Sequence, residues 1–195
     1  MKKLVAAFVT LFALVTSVSA FEWKDSWQNY GGGIEEHQFI VNAGVGLNSA
    51  VFDGHTSFCP PLELSVEYTQ KIWVLPFSFG GFFAYDGYMD KGSTAGTNYA
   101  YAYNNFYLGG LIKYHAMLPV ENLDVYVRTH LGARIQAYSA DVKDPYLGDY
   151  NDKTSVTSFY SEWGLGATWY FTDTFGLTVE LGYPTVSKVS ATFKF

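Results

Sequence analysis

Nine charged residues could form ion pairs with one another, because each lies on the polar side of a segment in which apolar and polar residues alternate. They are Glu63, Glu67, Lys113, Arg128, Arg134, Glu162, Glu180, Lys188 and Lys194. A buried charge needs a partner of opposite sign, since an unpaired ion in a protein interior carries a heavy desolvation cost. If the polar sides enclose one interior, the sequence predicts an ion-pair network that fills the lumen. The alternative is that these side chains line a gated polar conduit.

The histidines are a second group with possible chemistry. His130 falls on the same polar side as Arg128, where a hydrogen bond to a glutamate would satisfy it. His37 lies at the start of a predicted strand and His115 at a predicted turn, so both are expected near an interface. None of these positions requires a catalytic role.

Two stretches contain possible metal ligands, and neither matches a known site. Asp53, His55 and Cys59 could bind zinc, but a structural zinc site needs four ligands. The acidic stretch 141–152 could bind calcium weakly, but its spacing does not match an EF-hand loop. We therefore predict no metal and no cofactor. Cys59 is the only cysteine and cannot form an intramolecular disulfide.

A lipid-modifying enzyme would need a serine or histidine oriented by an acid at the bilayer edge. The sequence contains no nucleophile motif of the G-x-S-x-G type. We predict that the protein is not an enzyme and has no catalytic residue. Serines and acids are scattered through the chain, so an outer-membrane lipid-modifying enzyme stays open as a second alternative.

The beginning of the chain has the form of a secretory signal peptide. Residues 1–20 combine two lysines, an apolar run over 4–15 and small residues up to Ala20. The run is shorter than the about 20 residues of a spanning helix. We predict cleavage near Ala20, a periplasmic N-terminal lead-in over 21–36 and a barrel over 37–195.

The charge of the chain excludes one class of partner. The formal net charge is −6, and removal of residues 1–20, which hold two lysines and no acid, makes it −8. Binding to phosphates requires clustered Lys and Arg, so nucleic acid is not an expected partner. Charged residues make up only 15% of the chain and aromatic residues 19%. Such a composition suits a protein with a large surface in contact with lipid.

Eight segments with period-two alternation predict eight strands. Their approximate ranges are 37–47, 62–69, 72–85, 99–114, 123–137, 157–171, 175–183 and 188–195. The second is expected to begin only after Pro60-Pro61. Connections near Lys71, Pro119 and 172–174 are compact, whereas 52–58, 86–97 and 139–155 read as long polar loops. Short turns on one side and long loops on the other are typical of transmembrane β-barrels.

Two further features favour a barrel in lipid over a soluble barrel with an apolar interior. Aromatic residues cluster at both ends of the apolar sides of the strands, as in interfacial girdles. The last strand also closes on an aromatic residue at the C-terminus, with Val189, Ala191, Phe193 and Phe195 on one side. This pattern looks like the terminal signal read by the outer-membrane insertion machinery.

In these features the chain, from Gln38 to Phe195, resembles the small outer-membrane barrels that include the OmpA membrane domain, OmpX and OmpW. The resemblance implies an all-β, eight-stranded antiparallel up-and-down transmembrane β-barrel in the bacterial outer membrane. It implies contact with outer-membrane lipid and the barrel-insertion machinery, and with a host or extracellular ligand through the loops. We predict a surface-interaction or adhesion role with a plugged lumen. The alternative is a narrow OmpW-like channel, although the lumen charges depart from the apolar lumen of that group.

Overall fold

The computed structural model describes residues 33–48, 56–73, 75–94, 97–116, 118, 120, 122–144, 148–183 and 185–195. Its eight strands form a closed barrel in chain order, each antiparallel to its neighbours, and β1 pairs with both β2 and β8. The strands are β1 Phe39–Asn48, β2 Thr56–Ile72, β3 Leu75–Thr94, β4 Thr97–Ala116, β5 Leu123–Asp144, β6 Gly148–Tyr170, β7 Phe175–Tyr183 and β8 Thr185–Lys194. The predicted all-β, eight-stranded up-and-down barrel is confirmed.

The barrel is apolar outside and polar inside, because side chains alternate between the two faces of every strand. Along β7, Leu177, Val179 and Leu181 are exposed, whereas Thr178 and Glu180 are buried. A soluble barrel would have the opposite arrangement. No helix among the described residues is long and apolar enough to span a membrane.

Five strands extend well beyond the other three. β1, β7 and β8 have 10, 9 and 10 residues, close to the roughly 9–11 residues of a tilted spanning strand. β3 to β6 have 20 to 23 residues. Their upper parts form what we call the protruding sheet, which comprises 86–94, 97–105, 136–144 and 148–156. The end of the barrel where β1 begins and β8 ends is called the terminal end. The protruding sheet rises from the opposite end.

The protruding sheet corrects the prediction of long polar loops over 86–97 and 139–155. The pairing of β3 with β4 continues to Thr94 and Thr97, and that of β5 with β6 to Asp144 and Gly148. Strand pairing continues because the alternation Tyr-Ala-Tyr-Ala-Tyr over 99–103 fits a pleated sheet as well as the membrane segment does. Of the predicted loop 52–58, only 56–58 lie in the described residues, and they belong to β2.

The second strand also begins earlier than predicted, at Thr56 rather than after Pro60-Pro61. Pairing of β1 with β2 reaches only Leu62, so the prolines lie where β2 has no neighbour on that side among the described residues. The register with β3 shifts on both sides of Cys59. Proline is tolerated at such edges and bulges because no ladder hydrogen bond is lost.

A hydrogen-bonded series of side chains runs around the interior near the terminal end, and we call it the polar belt. Each strand contributes one buried residue. In order around the barrel, the members are Asp124, His115, Ser78, Glu67, Asn42, Thr192, Thr178 and Thr168. Seven successive pairs are joined by hydrogen bonds of 2.5 to 3.0 Å. The belt therefore links all eight strands through side chains as well as through the backbone.

The described end of the predicted lead-in packs against the terminal end of the barrel. Ile34 is buried against Ile40 and Tyr170, and the Thr69 hydroxyl donates to the Glu35 carbonyl at 2.6 Å. Gly33 has φ 70°, and a Cβ there would lie 2.7 Å from the Tyr170 ring. Residues 33–36 thus cover this mouth of the barrel. The predicted signal peptide and residues 21–32 lie outside the described residues.

The belt can be tested by the change Thr178→Val, which keeps the shape of the side chain. Thr178 joins Thr168 and Thr192, so its loss leaves two buried hydroxyls short of a partner. We expect the free energy of unfolding to fall by about 1–3 kcal/mol. The measurement is urea unfolding of the barrel in phospholipid vesicles, followed by tryptophan fluorescence.

Thr129→Val is the matched control for this prediction. The Thr129 hydroxyl is buried and has no hydrogen-bond partner, so valine should leave stability unchanged or raise it. Equal losses in the two variants would contradict a stabilising role for the belt.

Candidate functional site

The charged residues predicted for the lumen lie directly above the polar belt. Glu67 accepts a hydrogen bond from the Lys113 ammonium at 2.6 Å, and both side chains are buried. Lys113 also lies 4.2 Å from the centre of the Tyr126 ring. The Tyr126 hydroxyl donates to Glu180 at 2.6 Å. This layer connects the belt to the charges at the centre of the barrel.

At the centre, two cations are shared among three glutamates. Arg128 pairs with Glu162 and lies 3.3 Å from Glu180. Lys188 lies 2.6 Å from Glu180 and also pairs with Glu63. Arg128 is the largest fully buried side chain among the described residues. Together these side chains extend across the interior, which in an eight-stranded barrel is just wide enough for side chains.

Seven of the nine residues predicted from sequence therefore meet in one cluster, which we call the plug. Its members are Glu63, Glu67, Lys113, Arg128, Glu162, Glu180 and Lys188. They come from six strands. Period-two alternation indicates an inward position for all seven. Of the five ion pairs, only Glu180–Lys188 joins register partners; the others depend on strand tilt.

Two residues of the predicted network are placed differently. Lys194 lies at the terminal mouth, where its ammonium donates to the Gly33 carbonyl and lies 4.4 Å from the centre of the Tyr170 ring. Arg134 lies above the plug, opposite Tyr107 and Ser158 in the strand register. Among the described residues it forms no ion pair within 4 Å. Both depart from the prediction because the plug occupies only a few residues of each strand.

His130 completes the upper edge of the plug. Its ring stacks on Phe82 at 4.3 Å, and it lies 3.5 Å from Glu162 and 3.9 Å from Glu63. Nitrogen and carboxylate oxygens of these three residues come within 4.8 Å of one another, a separation at which they could hold a metal ion. Both glutamates are already paired with lumen cations, Glu63 with Lys188 and Glu162 with Arg128. The arrangement therefore suits a salt-bridged core better than a metal centre.

His115 is buried in the lumen and is not the interfacial residue that the sequence suggested. The preceding β4 alternation runs to Ala116, which places His115 on the inward side. It lies 2.9 Å from Asp124 and 3.0 Å from the Ser78 hydroxyl. These contacts, from an acid to a histidine to a serine, are those of a nucleophilic triad. However, Ser78 is fully buried and donates its proton to Glu67 at 2.5 Å, so the hydroxyl is not directed at a substrate.

Apolar side chains cover the plug towards the protruding sheet. Phe82, Leu111, Tyr107 and Tyr160 form a buried cluster there. At the opposite mouth, Ile34 provides a smaller cover. The charged core is therefore shielded at both ends by groups that exclude water, which strengthens its internal electrostatic interactions.

The outer surface carries the features expected of a lipid-facing wall. Aromatic side chains are exposed at both ends of the strands, with exposed fractions of 62 to 76%. They are Phe171 and Phe195 at the terminal end, and Phe159 and Tyr183 at the opposite end. The residues of the predicted insertion signal, Val189, Ala191, Phe193 and Phe195, follow one another on the outward side of β8. Their register with β1 is continuous from Val189 to Phe193.

The solved structures to which this chain is similar are distant from it in sequence. No protein-family model matches the sequence, and no curated protein matches it. Among solved structures, Ail, the attachment invasion locus protein of Yersinia pestis crystallised with the heparin analogue sucrose octasulfate, is 12% identical, with a TM-score of 0.46 over 82% of this chain and 99% of Ail. The N-terminal barrel domain of Pseudomonas aeruginosa OprF is 16% identical, with a TM-score of 0.45 over 82% of this chain and 98% of that domain. A de novo designed transmembrane β-barrel is 17% identical, with a TM-score of 0.43 over 83% and 98%.

The chain has the architecture of a small eight-stranded up-and-down β-barrel with an apolar outer wall. That class follows from strand number, order and closure. The similarities are too distant to indicate a ligand or an activity.

The plug predicts a large loss of stability for Arg128→Met. The change leaves Glu162 and Glu180 without their guanidinium partner, and breaking a buried ion pair costs about 3–5 kcal/mol. We expect a matching fall in the free energy of unfolding in phospholipid vesicles, measured by urea titration.

Lys153→Met removes one cation from an exposed position of β6 and serves as the control, with an expected change within about 0.5 kcal/mol. If Arg128→Met were as mild as Lys153→Met, the buried pairs would not hold the barrel together.

Proposed function

We propose that this protein is an integral protein of the bacterial outer membrane that acts at the cell surface through its protruding sheet. The observation that carries the proposal is the combination of an outward apolar wall, a filled lumen and a large sheet beyond the spanning segment. A barrel in hydrocarbon must pair all its backbone groups, and closure of β1 on β8 does so. The protein is exported by a signal peptide cleaved near Ala20, and its C-terminal strand engages the insertion machinery.

The filled lumen favours a surface role over the channel alternative. Ion pairs join β2, β4, β5, β6, β7 and β8 across the interior, and apolar side chains cover them at both ends. A solute would have to separate buried pairs in order to pass. The same enclosure keeps the Asp124–His115–Ser78 group away from lipid and from substrates, which supports a function other than catalysis.

The protruding sheet provides the contact surface in place of flexible loops. Loops pay an entropy cost when a partner orders them, whereas a preformed sheet pays little. β3 to β6 remain paired almost to their tips, so the surface is presented in a defined shape to a ligand outside the cell.

Surface display can be tested with single cysteines in a Cys59→Ser background. Ser155 is exposed on the protruding sheet, and Asp173 is exposed in the turn at the terminal end. We expect a membrane-impermeant maleimide to label Ser155→Cys in intact cells and to label Asp173→Cys only after permeabilisation. The reverse pattern, or labelling of both in intact cells, would refute the proposed orientation.

The filled lumen predicts that the purified protein does not conduct ions in planar bilayers, because the plug side chains leave no continuous water path. Single-channel recording measures this directly. Stable openings of the wild-type protein that change in size with Arg128→Ala would favour the channel instead.

A further inference from the structure

The inner face of the protruding sheet carries a continuous row of tyrosines. Tyr88 and Tyr103 stack at 4.8 Å, and Tyr103 contacts Tyr138 at 5.2 Å. The ring centres of Tyr138 and Tyr101 are 5.8 Å apart. Those of Tyr101 and Tyr99 are 5.3 Å apart. All five side chains are half-buried, so they support one another and still face solvent. Tyrosine at this density is typical of recognition surfaces, because it offers a large contact area at a low entropy cost.

The Tyr103 hydroxyl, in the middle of the row, remains neutral at physiological pH. Burial raises the pKa of Tyr103, and the neighbouring Tyr138 and Tyr88 raise it further. Its ring therefore offers a neutral π face and a hydroxyl donor. A neutral ring attracts a cation to its face.

The charges of the protruding sheet are distributed unequally between its two faces. The register from β3 to β6 is continuous, so alternation assigns each residue to a face. Lys91, Lys143 and Lys153 all fall on the outer face. Asp90 and Asp152 fall on the inner face with the tyrosines, and no Lys or Arg of the described protruding sheet accompanies them there. The nearest inward cation along β5 is Arg134, four residues below Tyr138.

The inner face is bordered by an unpaired strand edge. β6 pairs with β7 only from Trp163 towards the terminal end, whereas its pairing with β5 continues up to Gly148. The segment 148–162 therefore has no strand neighbour on its other side among the described residues. An extended polypeptide can add to such an edge through main-chain hydrogen bonds.

From these three observations we propose that the inner face of the protruding sheet binds a basic, extended polypeptide segment. Its backbone pairs with the β6 edge, and its Arg or Lys side chains lie beside Asp152 and extend across the face towards the tyrosine row. This inference rests on the proposed surface function and specifies the chemistry of the partner. It requires no change of the barrel, because the face is already formed.

The test uses the full-length mature protein in nanodiscs of zwitterionic lipid and a fluorescent peptide in which arginine and threonine alternate. Fluorescence anisotropy should show saturable binding that weakens with salt, as expected for charge pairing. A glutamate–threonine peptide should not bind. A copy of the basic peptide with N-methyl groups on alternate backbone nitrogens should bind at least about tenfold more weakly, because it cannot complete a strand ladder.

Variants of the protein separate the face from nonspecific attraction. Tyr101→Leu with Tyr138→Leu should weaken binding about tenfold by removing two cation–π contacts, and Asp152→Asn should also weaken it. The matched controls are Tyr183→Leu at the barrel rim and Asp149→Asn on the outer face, which should bind like the wild type. Heat-dependent gel mobility verifies that each variant is folded.

Equal binding of basic and acidic peptides, or wild-type affinity in the double tyrosine variant, would overturn the proposal. Because the assay uses purified protein, its result is independent of the cysteine labelling in cells. Failure of binding with correct labelling would remove the basic ligand and leave surface display intact. Failure of labelling would instead remove the surface function.

Discussion

The structure depends on one constraint, which is that a chain in hydrocarbon must satisfy its polar groups internally. Closure of β1 on β8 satisfies the backbone. The polar belt meets the same requirement for side chains, since each member uses its neighbours on adjacent strands in place of water. The plug meets the requirement for charged groups, because its ion pairs replace water around them. Backbone, hydroxyl and ionic groups are thus all enclosed, and the outer wall is left to aliphatic and aromatic side chains.

The enclosed charges also determine what the barrel can do. Arg128 and Lys188 each contact two glutamates, so neither can move without exposing an unpaired charge. Such a core resists opening, which supports the proposal that the spanning part of the protein has no role in transport. On that proposal, function belongs to the part of the chain that the membrane does not constrain, where the strands continue with tyrosine and aspartate in place of the lumen charges.

The fold and much of the interior could be predicted from sequence because period-two alternation specifies both strand and face. It indicates an inward position for Glu67, Arg128 and Glu180, which are buried in the structure. It failed at His115, which lies near a strand end where the alternation is hard to follow, and at the protruding sheet, where polar composition resembled loops. The Tyr-Ala-Tyr-Ala-Tyr run was the signal that could have identified this sheet. The belt could not be predicted, because it depends on the stagger between neighbouring strands, which the alternation within each strand does not specify.

The central claim is that apolar side chains face lipid while the charged ones are enclosed, and Trp163 offers the most direct measurement. Its side chain is 59% exposed on the outer wall. The measurement uses a variant in which Trp163 is the single remaining tryptophan and the others are replaced by phenylalanine. Phospholipids brominated on their acyl chains should quench Trp163 fluorescence strongly, whereas aqueous iodide should not. Quenching by iodide with no effect of brominated chains would mean that the wall faces water, which would contradict the account.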